Sequence, residues 1–350
     1  MSKNSFLNIF KAILFKIPGL HKSLKNLKKA VGDAALKTRF INFKRDIVED
    51  WKYINWDRKG VDYWKLSSEL IFYYHKLEKG LCLPPENRRW FGLQPAEKTL
   101  ELLNEWDKFN LPKTAPVYQA ACGVLSAYCQ FTKNISSNDP SAKLIVTKLE
   151  RYLQQVSFDS RFITPILPDI TPDSSFDILQ QLSQSRRSTR NFSNKVVDLE
   201  LISKAVHVAQ LSPSACNRQP WKLHIYDKRE DIDNMLALQN GNRGFGHKVP
   251  LLGVMCCDLG SFFDSTERYE PHLDGGLFLM TFILALQSQG IASCCLNWCV
   301  NPDRDIAAHR VGNIASNERI LTFLAIGYSE EATLVPLSAR RPLTDVLIKH

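Results

Sequence analysis

The periodicity of the apolar residues changes once along this 350-residue chain, and the change limits the folds open to it. Between about Val61 and Val156 every signal is helical. Leu66, Leu70, Tyr73 and Tyr74 recur at three- to four-residue spacing, and Gly80 is placed to end that helix in the left-handed conformation. Pro95 opens a second helix, Thr114 with Pro116 caps a third, and Asp139 followed by Pro140 supplies a cap and first turn for a fourth. Residues 163–175, with Pro165, Pro168 and Pro172, read as a linker. Beyond it, helical stretches (198–210, 231–238, 274–289, 302–309) alternate with short β-like runs (222–226, 251–257, 292–296, 320–326). That alternation predicts a sheet covered by helices. The stretch after Gly275 (Leu277, Phe278, Leu279, Met280, Phe282, Ile283, Leu284) is apolar on nearly every side and is expected to be a fully buried central helix, or one at a subunit interface.

Charge narrows the function classes. The net charge of +9 is concentrated at one end: residues 1–45 carry 11 Lys or Arg against the single acid Asp33, while the remainder holds 34 basic and 35 acidic residues. A balanced body without a basic stripe excludes a nucleic-acid module. The basic end, with Phe6, Leu7, Ile9, Phe10, Ile13, Leu14 and Ile17 among lysines, reads as an amphipathic helix. It either docks on the protein or makes peripheral contact with an anionic membrane surface. The expected organisation is a basic segment over 1–45, an all-helical domain over 46–170 and an α+β domain over 171–350. Nothing in the helical domain has ligand or nucleophile spacing. The nine cysteines sit largely in apolar runs and lack zinc spacing, so free thiols and no metal are expected. With no cleavable leader and no apolar run long enough to span a bilayer, the expected location is cytoplasmic, with a peripheral position at the inner face of the membrane as the alternative.

Two polar constellations carry the chemistry. Ser185-Arg186-Arg187-Ser188-Thr189-Arg190 packs three guanidinium groups and three hydroxyls into six residues, a set suited to a phosphate monoester. Taken alone, it is equally a solvated basic turn. Ser212-Pro213-Ser214-Ala215-Cys216-Asn217-Arg218-Gln219-Pro220-Trp221 lies between a predicted helix and a predicted strand. Asn217 and Gln219 each offer donors and acceptors in one plane, as the edge of a flavin pyrimidine ring requires, and two prolines stiffen the loop. An Asn/Ser-rich turn satisfying its own backbone is the other reading.

In this order, Arg-Arg-Ser-x-Arg-x-Phe and then Ser-Pro-Ser-Ala-x-Asn-x-Gln-Pro-Trp, the two elements resemble the opening of nitroreductase-family proteins. Gly290 to Leu296, Ile320 to Tyr328 and Arg340-Arg341-Pro342-Leu343 are similar to later family features, so the resemblance covers roughly 165 residues, 185–350. It implies an α+β fold with a nitroreductase-like sheet sandwiched by helices, preceded by the all-helical N-terminal domain. It also implies a homodimer with FMN at the subunit interface, and hydride transfer from NADH or NADPH to a small-molecule acceptor such as a nitro compound, a quinone or a biosynthetic intermediate. Carried over, Arg186, Arg187, Ser188 and Arg190 hold the phosphate and ribityl end, with Arg340 closing from the tail. Pro213, Ser214, Ala215, Asn217 and Gln219 form the polar loop, contributed by the other subunit. Ser293, Cys294 and Cys295 lie against the isoalloxazine, and Asn242 contacts it from the loop before the second strand. No catalytic acid or nucleophile is required, because the flavin performs the redox step. Ala292 and the Cys294-Cys295 pair depart from the family pattern and leave the acceptor open. The competing reading is a membrane-surface or assembly protein that uses a degenerate flavin fold as a dimerisation module.

Overall fold

The computed structural model describes residues 34–350 apart from 85–88, 137 and 168, with side chains from residue 40 onward. The expected amphipathic helix near residues 6–17 lies outside the described residues. Helix α1 (Ala34–Tyr53) runs across the expected division at residue 45. Four helices follow: α2 (Tyr63–Leu81), α3 (Leu93–Lys108), α4 (Pro116–Ile135) and α5 (Pro140–Leu153). They bury Leu66, Leu70, Trp106, Tyr118, Leu125 and Leu149, among others, in a core of their own.

Helix boundaries follow from local chemistry, with three departures from expectation. Asp139 caps α5 as expected, its carboxylate accepting from the Ser141 and Ala142 amides at 2.8 and 3.0 Å. Thr114 does not cap α4; the cap position falls on Ala115 with no side-chain bond, and Pro116 alone sets the first turn. Gly80 does not end α2 in the left-handed conformation, because the helix continues to Leu81. The glycine is needed for space instead: a Cβ there would lie 2.0 Å from the Phe91 ring. Asp274 does not open its helix, which begins a turn earlier at Glu270.

After the connecting stretch come α6 (Ser175–Ser185), α7 (Leu199–Ala209), β1 (Trp221–Tyr226), α8 (Arg229–Leu236), β2 (Leu251–Asp258), α9 (Glu270–Ser288), β3 (Ala292–Asn297), α10 (Pro302–Val311) and β4 (Glu318–Gly327). The strands form one antiparallel sheet in the order β1-β2-β4-β3. This is the expected α+β sandwich. One face packs on α7 and α9 through Trp221, Met255, Phe278, Phe282 and Leu324. The other packs on α8 and α10 through Met235, Val254, Ile320 and Phe323. Helix α9 is not buried all round: within one chain Leu273, Leu277 and Met280 are exposed. Of the described helices, none is long and apolar enough to cross a membrane. All nine cysteines are free thiols.

The connecting stretch is seated on the helical core at one tight point. A Cβ on Gly123 of α4 would meet the Phe162 carbonyl oxygen at 2.2 Å, a backbone atom with no rotamer to yield. Gly123→Ala is therefore expected to lower the unfolding free energy by about 1–3 kcal/mol, as overpacking does. A urea denaturation curve checks it, and an unchanged midpoint would show that the stretch does not press on α4.

Candidate functional site

Helix α6 ends at Ser185, and Arg186 is its C-terminal cap residue. The next residues run beside β3. Ser188 forms a parallel bridge with Ser293, and the Thr189 amide donates to the Ser293 carbonyl at 3.1 Å. Strand β3 is an edge strand paired on its other side with β4, so Ser293 directs its backbone groups to the open edge, and so does Cys295 two residues on. The structure thus brings Arg186, Arg187, Ser188 and Arg190 together with Ser293, Cys294 and Cys295. Arg187 donates to the Arg186 carbonyl at 2.9 Å. Among the described residues, none of the three guanidinium groups has a carboxylate partner. Three like charges in five residues with no carboxylate partner among the described residues are a donor set suited to an anion.

Cys294 is buried, and burial raises its thiol pKa, with Arg190, a hydrogen bond from Ser188 and Arg186 pulling weakly the other way. The protonated thiol is a poor nucleophile. Cys295 is exposed at the edge.

The polar loop stands apart. It leads into β1 at one edge of the sheet, whereas the arginine cluster runs beside β3 at the opposite edge, so one chain presents two separate half-sites. Within the loop, Cys216, Asn217 and Gln219 all take the left-handed conformation, at φ of 52°, 57° and 53°. The Ala215 amide donates to both oxygens of Asp274 at 3.1 Å, and the Gln219 amide donates to Ser214 Oγ at 3.0 Å. The Gln219 side chain leans on the Asn217 carbonyl at 3.2 Å, Asn217 is exposed, and Pro213 lies at the exposed rim. Asn242 is turned inward: its amide donates to the Leu236 and Gln239 carbonyls at 2.7 and 2.9 Å, which commits it to its own loop. Arg340 lies in the exposed tail and donates to the Ser338 carbonyl.

A family model described as the nitroreductase family matches residues 184–242, the span that holds both constellations. Residues 184–242 carry the nitroreductase-family match, and similar relatives cover up to about half of the chain. An iodotyrosine dehalogenase 1 homolog of Caenorhabditis elegans is 24% identical over 211 residues, covering 52% of this chain and 64% of that protein. A 4-nitrobenzoate reductase of Pseudomonas putida is 25% identical over 154 residues, 31% of this chain and 68% of its own length. The chain therefore spans a little under two thirds of the worm protein. An FMN-dependent nitroreductase from Clostridium difficile R20291 superposes with a TM-score of 0.41 at 19% identity, covering 48% of this chain and 98% of that one. A nitroreductase family protein from Streptococcus pneumoniae TIGR4 gives 0.41 at 24%, covering 49% and 100%.

Two residues of the C-terminal half escaped sequence reasoning. Arg218 falls at a position that the loop's motif leaves unassigned, and Asp274 reads as the start of a helix. An acid at the head of an otherwise apolar helix was the available signal for Asp274. One further cluster, His224 with Glu318 at 2.5 Å beside the buried Cys256, is satisfied as a cross-sheet hydrogen bond over a core thiol.

Burial pushes the Asp274 carboxyl up to about 6, against the Ala215 hydrogen bond that favours its charged form. The folded state therefore keeps this proton where the unfolded chain has lost it. Between its ordinary value near 3.8 and about 6, the group withdraws stability as pH rises. Asp274→Asn imitates the neutral acid and retains an acceptor for Ala215. Wild type should accordingly lose stability relative to the Asn variant between pH 4 and pH 7, by on the order of 2 kcal/mol. Urea midpoints at both pH values test this, and a flat difference would contradict it.

Proposed function

We propose that the protein is an FMN-dependent oxidoreductase that works as a homodimer, taking hydride from NADH or NADPH and passing it to a small, flat acceptor. The observation that carries this reading is the cluster of guanidinium groups without carboxylate partners, held against the open edge of β3. The donor set fits the cofactor. Arg186, Arg187 and Arg190 with the Ser188 hydroxyl supply enough positive charge and donors for a phosphate dianion. The Cys295 amide, directed to the open edge by its register, suits a ring nitrogen acceptor. Asn217 and Gln219 present the amide groups that a pyrimidine edge pairs with. Because the two half-sites of one chain are separate, a second copy is proposed to bring its 213–219 loop to the first copy's arginines. The exposed Leu273, Leu277 and Met280 of α9 supply an apolar surface for that pairing.

When bound, FMN supplies the redox chemistry; the chain's part is to bind, orient and exclude water. The protonated Cys294 agrees with a site that uses no protein nucleophile. Relatives are named for nitroaromatic and iodotyrosine substrates, both of which are aromatic rings able to lie flat on an isoalloxazine. An aromatic acceptor is the common denominator. Replacing both Arg186 and Arg190 by Ala should weaken FMN binding by on the order of a hundredfold or more, at a few kcal/mol for charged hydrogen bonds. Flavin fluorescence titration measures it, and unchanged affinity would remove the phosphate assignment.

The membrane-surface or assembly reading keeps one observation in its favour. Helix α1 docks through its charged residues, Arg45 on Asp305 and Glu49 on Arg319, and leaves Phe40, Phe43 and Ile47 outward. That is the reverse of an ordinary docking helix. On this reading, full-length protein floats with anionic liposomes and a variant lacking residues 1–45 does not. Equal flotation of the two would exclude it.

A further inference from the structure

The left-handed backbone of the polar loop needs an external cause. Non-glycine residues pay about 1–2 kcal/mol for this conformation, and here three of four consecutive positions adopt it. Such strain persists only where the surroundings over-determine it. The residue between the strained positions, Arg218, is 1% exposed, an unusual place for a guanidinium. Four of its five N–H groups are used. Nε donates to the Ala215 carbonyl at 2.9 Å, Nη1 to the Ser261 carbonyl at 3.1 Å, and the two terminal nitrogens grip Glu267 at 2.9 and 2.6 Å. Glu267 is itself held by the Phe263 amide at 3.0 Å.

Around this fork stand three aromatic rings. Phe262, Phe72 and Phe263 have their centroids 5.1, 5.7 and 6.0 Å from the guanidinium carbon. Phe72 belongs to α2 of the helical unit, and it packs on Phe263 and Trp56 at 5.3 and 5.2 Å. The helical unit thus closes the box that holds the loop's arginine. Sequence reading assigned that unit no chemistry, since none of its residues has ligand spacing; its contribution is made through packing.

We propose that Arg218 is a positioning residue that locks residues 214–219 in the shape that receives FMN, and that Phe72 makes the helical unit part of this lock. The inference rests on the flavin reading above. Removing the fork leaves the Ala215 carbonyl with only the residue-218 amide at 3.2 Å and lets the strained residues relax toward ordinary backbone, carrying the Asn217 and Gln219 amides out of register.

The test uses the full chain in three variants: Arg218→Met with Glu267→Leu, Arg218→Lys, and Phe72→Ala. Replacing both members of a buried pair by apolar residues commonly preserves stability, so the double variant separates fold from positioning. It is expected to melt within a few degrees of wild type while its FMN dissociation constant rises at least tenfold. Hydrogen exchange of the 213–219 amides should quicken in apo-protein. Arg218→Lys keeps the charge pair but loses the fork, and should fall between wild type and the double variant. Phe72→Ala should weaken FMN binding several-fold, with the same local rise in exchange. A folded double variant whose FMN affinity and loop exchange match wild type overturns the inference while leaving the flavin reading intact. Wild-type protein that takes up no FMN overturns both.

Discussion

The double-sided burial of β2 and β4 is the constraint on which the rest of the C-terminal half depends. Every residue of β2 is buried, because α7 and α9 cover one face of the sheet and α8 and α10 the other. Strands covered on both sides must pair on both edges to satisfy their backbone groups, which sets β2 and β4 at the centre and sends β1 and β3 outward. Edge position leaves β3 with backbone groups to offer. Thr189 takes the Ser293 carbonyl, and the arginine cluster is thereby carried to the strand that also bears Cys294 and Cys295. The proposed phosphate end and the proposed ring-facing turn are neighbours because of where the sheet runs out of partners.

Arginine plays two opposite parts in this chain, and burial decides which. Arg218 is enclosed, and an enclosed charge must be paired and hydrogen-bonded, so Glu267 and two carbonyls surround it. Its worth lies in geometry more than in net stability, since it fixes backbone that would otherwise relax. Arg186 and Arg187 are half-buried and Arg190 is exposed, and among the described residues none of them is ion-paired with a carboxylate. Their charge is available to a ligand. Asp274 marks a third case: a carboxylate taken from water at the head of an apolar helix to hold one loop amide, with a raised pKa as the consequence.

Much of the fold was legible because it rests on local patterns. All four β-like runs and the four helical stretches of the second half reappear within a few residues, since alternation and helical spacing are written in the side chains themselves. Errors fell where a residue has two uses. Gly80 is a common helix terminator, yet here it makes room for the Phe91 ring. Asp274 is a common helix cap, yet here it accepts from Ala215 across 59 residues of sequence. Asn242, expected to face the cofactor, turns its amide to the Leu236 and Gln239 carbonyls.

By itself the sequence determined the α+β layering, the place of the two polar constellations and the likeness of residues 184–242 to the nitroreductase family. Hydrophobic periodicity and dense polar motifs are properties of neighbouring residues, which the chain carries before it folds. Only the tertiary structure decided that the arginine cluster lies on β3, that the polar loop of the same chain lies elsewhere, and that Phe72 of the helical unit reaches Arg218. The first and last of those relations join segments about a hundred residues or more apart. They depend on which edges of the sheet remain open and on where a buried charge finds enough partners, and neither quantity exists until the layers have packed.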